Sequence, residues 1–261
     1  MKTKLNLIQL ITVTALVVII SCKKDATDST AINSVSTTQK VLAIDFTATW
    51  CHVCGENGTP KLESVMAKNP TTVIAIAAHS AQSFGQASNS VSDELNTFYG
   101  ITGIPSFVVG ATESLYSYNS LEADVNKALA TKTASAGIGM SKSVSGSTMT
   151  IATKTIFFKE ISGTYNLAVY VTENSVSYNQ TRDSAPTPFM KVHDHILRGS
   201  ANGTWGAQLV SGSATKNQEI NGSYTFSIPS TVKNSDNLHI VAVIYKMENG
   251  KPVSVLNVNS I

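Results

Sequence analysis

Two cysteines three residues apart, Cys51 and Cys54, are the residues of this chain best spaced for chemistry. They follow the apolar run Val41-Leu42-Ala43-Ile44-Asp45-Phe46, which reads as a buried strand, and they open a helix through Leu62, Val65 and Met66. Cys51 then sits at a helix N-terminus, where unpaired N–H groups and the macrodipole favour a thiolate. Cys54, one turn further in, is less exposed and can attack a mixed disulfide formed on Cys51. Three other readings of the pair stay open. It could be a structural disulfide without turnover, a zinc site (which needs four ligands, with no second cysteine pair in view), or a copper site using Cys51, Cys54 and His79. A second group is His193 and His195, spaced i, i+2, which on an extended segment project to one face as a metal pair does. No third ligand is obvious, histidines that hydrogen-bond a loop are the commoner case, and we assign no metal.

The elements that position these residues fall into two bodies. From Lys40 to about Thr131 short apolar runs alternate with helical stretches. Strands are expected at Val41–Phe46, Val73–Ala78, Ser106–Val109 and Ser114–Tyr118, the last two as a hairpin around Gly110. Asn69-Pro70 stops the first helix. A second runs from about Ser92 to Tyr99, ended by Gly100, and a third opens at Asn119, capped with Glu122, and buries Leu121, Val125 and Leu129. A polar insertion, His79 to Ser90, could form a lip near the cysteines. Beyond Ala134 the period changes from 3.6 to 2, with turn signals at Ser145-Gly146, Ser162-Gly163, Asn221-Gly222 and Asn249-Gly250. That pattern suggests a β-sandwich over 135–261, interrupted by a long irregular stretch from about Asn174 to Gly206. Loops of that length are usually functional or disordered, and this one is expected to fold over the Cys51 face and shape access to it.

The ends and the composition narrow the setting. Lys2 and Lys4 precede a mostly apolar run, Leu5 to Ile20, shorter than the roughly 20 residues that cross a bilayer, so 1–21 reads as a cleavable export signal. Ile19-Ile20-Ser21-Cys22 resembles the bacterial lipoprotein signal, which implies acylation of Cys22. An ordinary secretory peptide with a stray cysteine is the alternative. Residues 22–39 are polar and read as a flexible tether. Lys23 after the cysteine favours the outer membrane by analogy with other bacterial lipoproteins. With 261 residues, formal net charge +2, 42% hydrophobic and 14% charged residues, the chain is globular and gives no reason to expect a nucleic-acid partner. Three cysteines are too few for a disulfide scaffold.

Three separated features resemble the thioredoxin superfamily over roughly Lys40 to Thr131: Trp50-Cys51-x-x-Cys54, Asp45 six residues before the first cysteine, and Gly100-Ile101-Thr102-Gly103-Ile104-Pro105-Ser106. The resemblance implies an α/β thioredoxin-like N-terminal domain over 40–134, followed by the all-β sandwich C-terminal domain over 135–261. It implies Cys51 as attacking nucleophile, Cys54 as resolving thiol and Asp45 as proton acceptor. By the same resemblance Pro105 forms a cis-proline loop, Trp50, Ile104 and Pro105 shape a peptide-binding surface, and His52 tunes the potential. The chain departs from the family in carrying Val53 where a proline is usual and His52 after the first cysteine. A potential less reducing than thioredoxin's, roughly −270 mV, is therefore expected. The stretch Lys191–Gly199 with Gly203-Thr204-Trp205-Gly206 resembles the C-terminal part of twenty-eight-kilodalton-class outer-membrane lipoproteins of Gram-negative bacteria. Together these features predict an envelope thiol–disulfide oxidoreductase, anchored through Cys22, acting on protein thiols and disulfides with a redox partner in the envelope and needing no cofactor. The rival is a surface binding lipoprotein on a redox-inert scaffold, and metal handling in the envelope is a third possibility.

Overall fold

The computed structural model describes residues 32, 34–110, 117–130 and 133–261. The signal segment, Cys22 and most of the expected strand at Ser114–Tyr118 lie outside the described residues. The chain runs β1 (Val41–Thr47), a five-residue π turn (Cys54–Gly58) leading into α1 (Thr59–Lys68), β2 (Val73–His79), α2 (Ser90–Phe98), β3 (Ser106–Val109) and α3 (Leu121–Ala130). Then come β4 (Ala136–Ser145), β5 (Thr148–Phe157), β6 (Ile161–Ser162), β7 (Thr164–Glu173), β8 (Val176–Arg182), β9 (Ala185–His193) and β10 (Ile196–Ser200). The last strands are β11 (Ala207–Val210), β12 (Ser213–Ala214), β13 (Glu219–Ser227), β14 (Leu238–Glu248) and β15 (Lys251–Ser260).

β1 and β2 are buried along their whole length, and their mostly apolar runs suit a central parallel pair. α1 accepts Pro60 in its first turn, where no N–H is missed, and its end is closed by Asn69 Nδ2 donating to Val65 O at 2.9 Å. The Asn89 side chain caps α2 by accepting from Ser92 N at 3.0 Å, while its amide donates to Leu197 O at 2.8 Å. That one residue therefore starts a helix and ties it to β10.

The expected pairing of a thioredoxin-like α/β domain with a separate all-β sandwich is corrected by the sheet. The molecule is mostly β, and one eight-stranded mixed sheet runs β15-β14-β7-β10-β2-β1-β3, with β11 alongside β7. Strands from both sides of residue 135 lie in it. The join is β10, parallel to β2 at Ile196 and Ala77 and antiparallel to β7 from Glu173 to Tyr170. The edge of β2 would otherwise present unpaired backbone groups, and Ala77 N instead donates to His195 O at 2.8 Å. One core covers a face of this sheet and mixes both halves, joining Leu42, Ile44, Phe46, Ile76 and Leu95 to Tyr170, Val243 and Tyr245. On the opposite face α1 and α3 cover β1, β2 and β3 through Leu62, Val65, Leu121 and Val125. Beside them the three-stranded sheet β13-β5-β4 covers β7 and β14 through Ile138, Met149, Ile151, Phe157 and Phe226.

The stretch expected to be irregular, Asn174 to Gly206, is mostly strand. β8 and β9 pair as an antiparallel hairpin with Gln180 opposite Phe189 and Val176 opposite His193. Pro186 and Pro188 disguise β9 in the sequence, and they are tolerated because, among the described residues, β9 pairs with β8 alone and so is an edge strand. Residues 34–39, read as part of a tether, lie against β4 and β15. Asn257 accepts from Lys40 N at 2.9 Å and donates to Thr38 O at 3.1 Å and Ala136 O at 2.8 Å. Among the described residues no helix is long and apolar enough to cross a membrane.

Candidate functional site

The chain leaves β1 at Thr47 and winds into helix directly after Cys51, which puts the first cysteine at the end of a buried strand and the start of a helix. The wide turn at Cys54–Gly58 closes with Thr59 N donating to Cys54 O, a geometry that recurs at functional sites. Cys51 and Cys54 form a disulfide with Cα atoms 5.2 Å apart. Cys51 keeps 7% of its surface in contact with solvent and Cys54 none. Cys54 N–H donates to Cys51 Sγ at 3.1 Å, an interaction that stabilises a thiolate there once the disulfide is opened.

Ile104 and Pro105 are half-buried and face the cysteines. Ile104 O lies 3.7 Å from Cys51 Sγ. The sulfur carries no hydrogen in the disulfide, so this is a contact now and a hydrogen bond within reach of the free thiol. The Ile104–Pro105 peptide bond is cis. A Cβ on Gly58 would lie 2.7 Å from Pro105 Cβ, so only glycine lets the turn approach the proline this closely. Trp50 is 49% exposed beside Cys51, its indole N–H donating to Ala81 O at 2.9 Å. The polar insertion does lie at the site: Thr49 N donates to Ser83 Oγ at 3.3 Å, and Phe84 N to Thr49 Oγ1 at 3.4 Å.

The hairpin β8–β9 closes over the helix start from the other side. Gln180 is buried, and its amide donates to Cys51 O at 3.0 Å and Ala48 O at 3.3 Å. Thr181 N donates to Thr49 O at 2.9 Å. A Cβ on Gly55 would meet Thr181 O at 2.1 Å, so the hairpin and the helix start fit only through that glycine. At the hairpin tip Ser184 binds Glu56 through N at 3.2 Å and Oγ at 2.6 Å, which lowers the Glu56 pKa, and His52 lies 3.4 Å from Asp183. Gln180 and Thr181 were not legible as site residues, since an uncharged amide in an alternating strand carries no chemical signature. The alternation Val176, Tyr178, Gln180 is the one available hint.

Asp45 lies on β1 on the face covered by α1. It is buried, its Oδ1 has no hydrogen-bond partner, and burial raises its pKa from 3.8 to about 8. It opens into a cavity of about 220 Å³ shared with Thr47, Thr59, Leu62, Glu63, Met66, Ala77, His79, His193, Asp194 and His195. His193 and His195 do not share one extended strand, because the chain turns between β9 and β10 with φ +60° at His195. Burial, then the neighbouring His193, depress the His79 pKa to about 3. Burial, then Lys191, depress that of His193 to about 4, and burial lowers that of His195. Among the described residues no group of three or more His, Cys, Asp and Glu is placed to hold a metal ion.

A family model described as outer membrane protein Omp28 matches residues 92–261. The matched range opens within α2, so Asp45, Cys51 and Cys54 precede it, while Ile104, Pro105, Gln180 and His193 fall inside it. No curated protein matches the chain. Among solved structures, HBP35 of Porphyromonas gingivalis is similar with TM-score 0.66 at 17% identity, over 87% of this chain and 76% of that one. A β-glucosidase from Listeria innocua in complex with gluconolactone reaches TM-score 0.21 at 9% identity, over 48% of this chain and 16% of that one, and carries no argument. The likeness to HBP35 is one of fold. It spans both halves, as the continuous sheet does.

Proposed function

The chain belongs to the outer membrane protein Omp28 family, a protein family of the bacterial outer membrane, and from that premise we propose that it exchanges disulfides with extended polypeptide segments at Cys51. One observation carries the reading. Cys51, which keeps 7% of its surface exposed next to an exposed tryptophan, receives the Cys54 N–H on a sulfur that lies 3.7 Å from the Ile104 carbonyl, while Cys54 is fully buried. The arrangement leaves Cys51 the less buried of the pair, which suits it to attack first and Cys54 to resolve.

In the dithiol state the Cys51 thiolate attacks one sulfur of a substrate disulfide. The substrate S–S bond breaks, one substrate thiolate departs and a mixed disulfide forms. Cys54 gives up its proton and attacks the Cys51 sulfur, releasing the second substrate thiolate and leaving Cys51–Cys54 oxidised. Two electrons pass to the substrate, and the reverse sequence oxidises a substrate dithiol. In this reading Asp45 exchanges the Cys54 proton, and its raised pKa keeps it protonated at neutral pH, ready to supply a departing thiolate. Trp50, Ile104 and Pro105 form the surface that a substrate backbone crosses, His52 adjusts the potential from the helix start, and acyl chains on Cys22 hold the molecule at the membrane.

A second reading is a surface binding protein in which the disulfide only cross-links. The family match favours it, because it describes a location and no electron transfer, and the hairpin closing over the helix start favours it too. Cys54→Ser distinguishes the two. Exchange predicts covalent adducts through Cys51 when the reduced variant meets envelope proteins, resolved by dithiothreitol. Absence of adducts from a folded variant with a titratable Cys51 leaves the binding reading standing.

A further inference from the structure

The cavity beneath Asp45 is built by both halves of the chain. Asp45 and Thr47 come from β1, Ala77 and His79 from β2, and Thr59, Leu62, Glu63 and Met66 from α1. The remaining wall is the turn between β9 and β10, His193-Asp194-His195. Two buried polar atoms of the residues lining the cavity have no partner, Asp45 Oδ1 from β1 and His193 Nε2 from the turn. With no partner among the described residues, His193 Nε2 is free to hydrogen-bond a water in the cavity. At the mouth Glu63 and Asp194 are exposed, and Glu63 is paired with Lys191 at 2.8 Å. The volume, about 220 Å³, holds roughly seven waters at liquid density, and a polar wall with two open hydrogen-bonding atoms keeps such a cavity wet.

We propose that this cavity is the proton port of Asp45, and that His193, contributed by the C-terminal half, is the positioning residue that keeps a hydrogen-bonded water chain between Asp45 and solvent. The inference rests on the exchange reading only for its purpose, since the port is open to test with a small dithiol. β10 makes it possible by joining the sheet at Ala77, which carries the turn over the end of β1. The groups facing Asp45 are His79 from β2, Glu63 from α1, and His193, Asp194 and His195 from the turn, while β3 presents Phe107, which does not titrate. His79 and His193 are neutral at pH 7, so they offer hydrogen bonds without adding charge.

The test follows reduction of Cys51–Cys54 by dithiothreitol across pH, alongside the carboxyl carbon resonance of Asp45, in the full chain as wild type, His193→Leu and His193→Gln. Leu removes the hydrogen-bonding group and dries the wall, so the Asp45 titration moves upward by about one pH unit and the rate at neutral pH falls roughly tenfold. Gln restores a hydrogen-bonding group and brings both back toward wild type. Thr59→Ile narrows the cavity from the α1 side and gives the same upward shift without touching the turn, which keeps the test open if His193→Leu does not fold. Superimposable Asp45 titrations and rate profiles in wild type and the wall variants overturn the proposal. Failure of the exchange reading shows differently, as absence of Cys51 adducts with polypeptides while the pH profile with dithiothreitol still answers to His193.

Discussion

Consider Asp45→Asn in the oxidised protein. The native carboxyl is fully buried with Oδ1 unpartnered, and its pKa is about 8 against 3.8 in a solvated chain. Between those values the unfolded chain has released a proton that the folded chain keeps. Stability is therefore complete below pH 3.8 and falls as the pH rises toward 8, by about 1.4 kcal/mol per unit. At pH 7 the accumulated cost is on the order of 4 kcal/mol. Asparagine is nearly isosteric and cannot ionise, so the variant is not subject to this loss. His79 and His193 act in the opposite sense. Burial depresses their folded values to about 3 and about 4, so their contribution is present above the ordinary histidine value of 6.5 and is lost as the pH falls below it. The wild-type profile is a dome whose alkaline limb belongs to Asp45 and whose acid limb includes the histidines. Urea unfolding of both proteins from about pH 4 to about pH 9, followed by circular dichroism, isolates the Asp45 term as a difference. That difference should be small at the acid end and widen steadily to several kcal/mol in favour of asparagine. A difference that stays constant across the range would refute the assignment of a buried, protonated carboxyl.

Other predictions follow from single contacts. Gly55→Ala places a Cβ 2.1 Å from Thr181 O, and should cost about 1–3 kcal/mol and speed reduction of Cys51–Cys54 by small thiols as the hairpin lifts. Urea midpoints and thiol-release kinetics read both effects. Arg198→Ala leaves Glu173 buried with only the N–H groups of Lys233 and Asn234 as partners, and should lower stability by about 3–5 kcal/mol in the same assay. Asn257→Ala removes the bonds that hold Thr38 and Lys40 and leaves Ala136 O unpaired, at a cost of about 1–3 kcal/mol. Limited proteolysis should then cut before Lys40 earlier than in the wild type.

Much of the local architecture was legible along the chain. The unbroken apolar runs at Val41–Phe46 and Val73–Ala78 are strands, Asn69-Pro70 ends α1, and the helix near Ser92–Tyr99 is α2, beginning two residues earlier at Ser90 under its Asn89 cap. These features depend on side chains a few residues apart, which periodicity and capping chemistry report. The spacing of Cys51 and Cys54 likewise required that two sulfurs lie one turn apart. What could not be read was the continuity of the sheet, because pairing Ala77 with Ile196 joins residues more than a hundred positions apart and leaves no local trace. Two strands hid behind Pro186, Pro188 and polar side chains, since an edge hairpin needs neither continuous apolar residues nor a full set of donors. Residue type and spacing thus set which atoms can react, whereas the folded chain set their surroundings. Gln180 reaches the Cys51 carbonyl from the β8–β9 hairpin, His193 reaches the Asp45 cavity from the turn that leads into β10, and burial there raises the Asp45 carboxyl pKa to about 8.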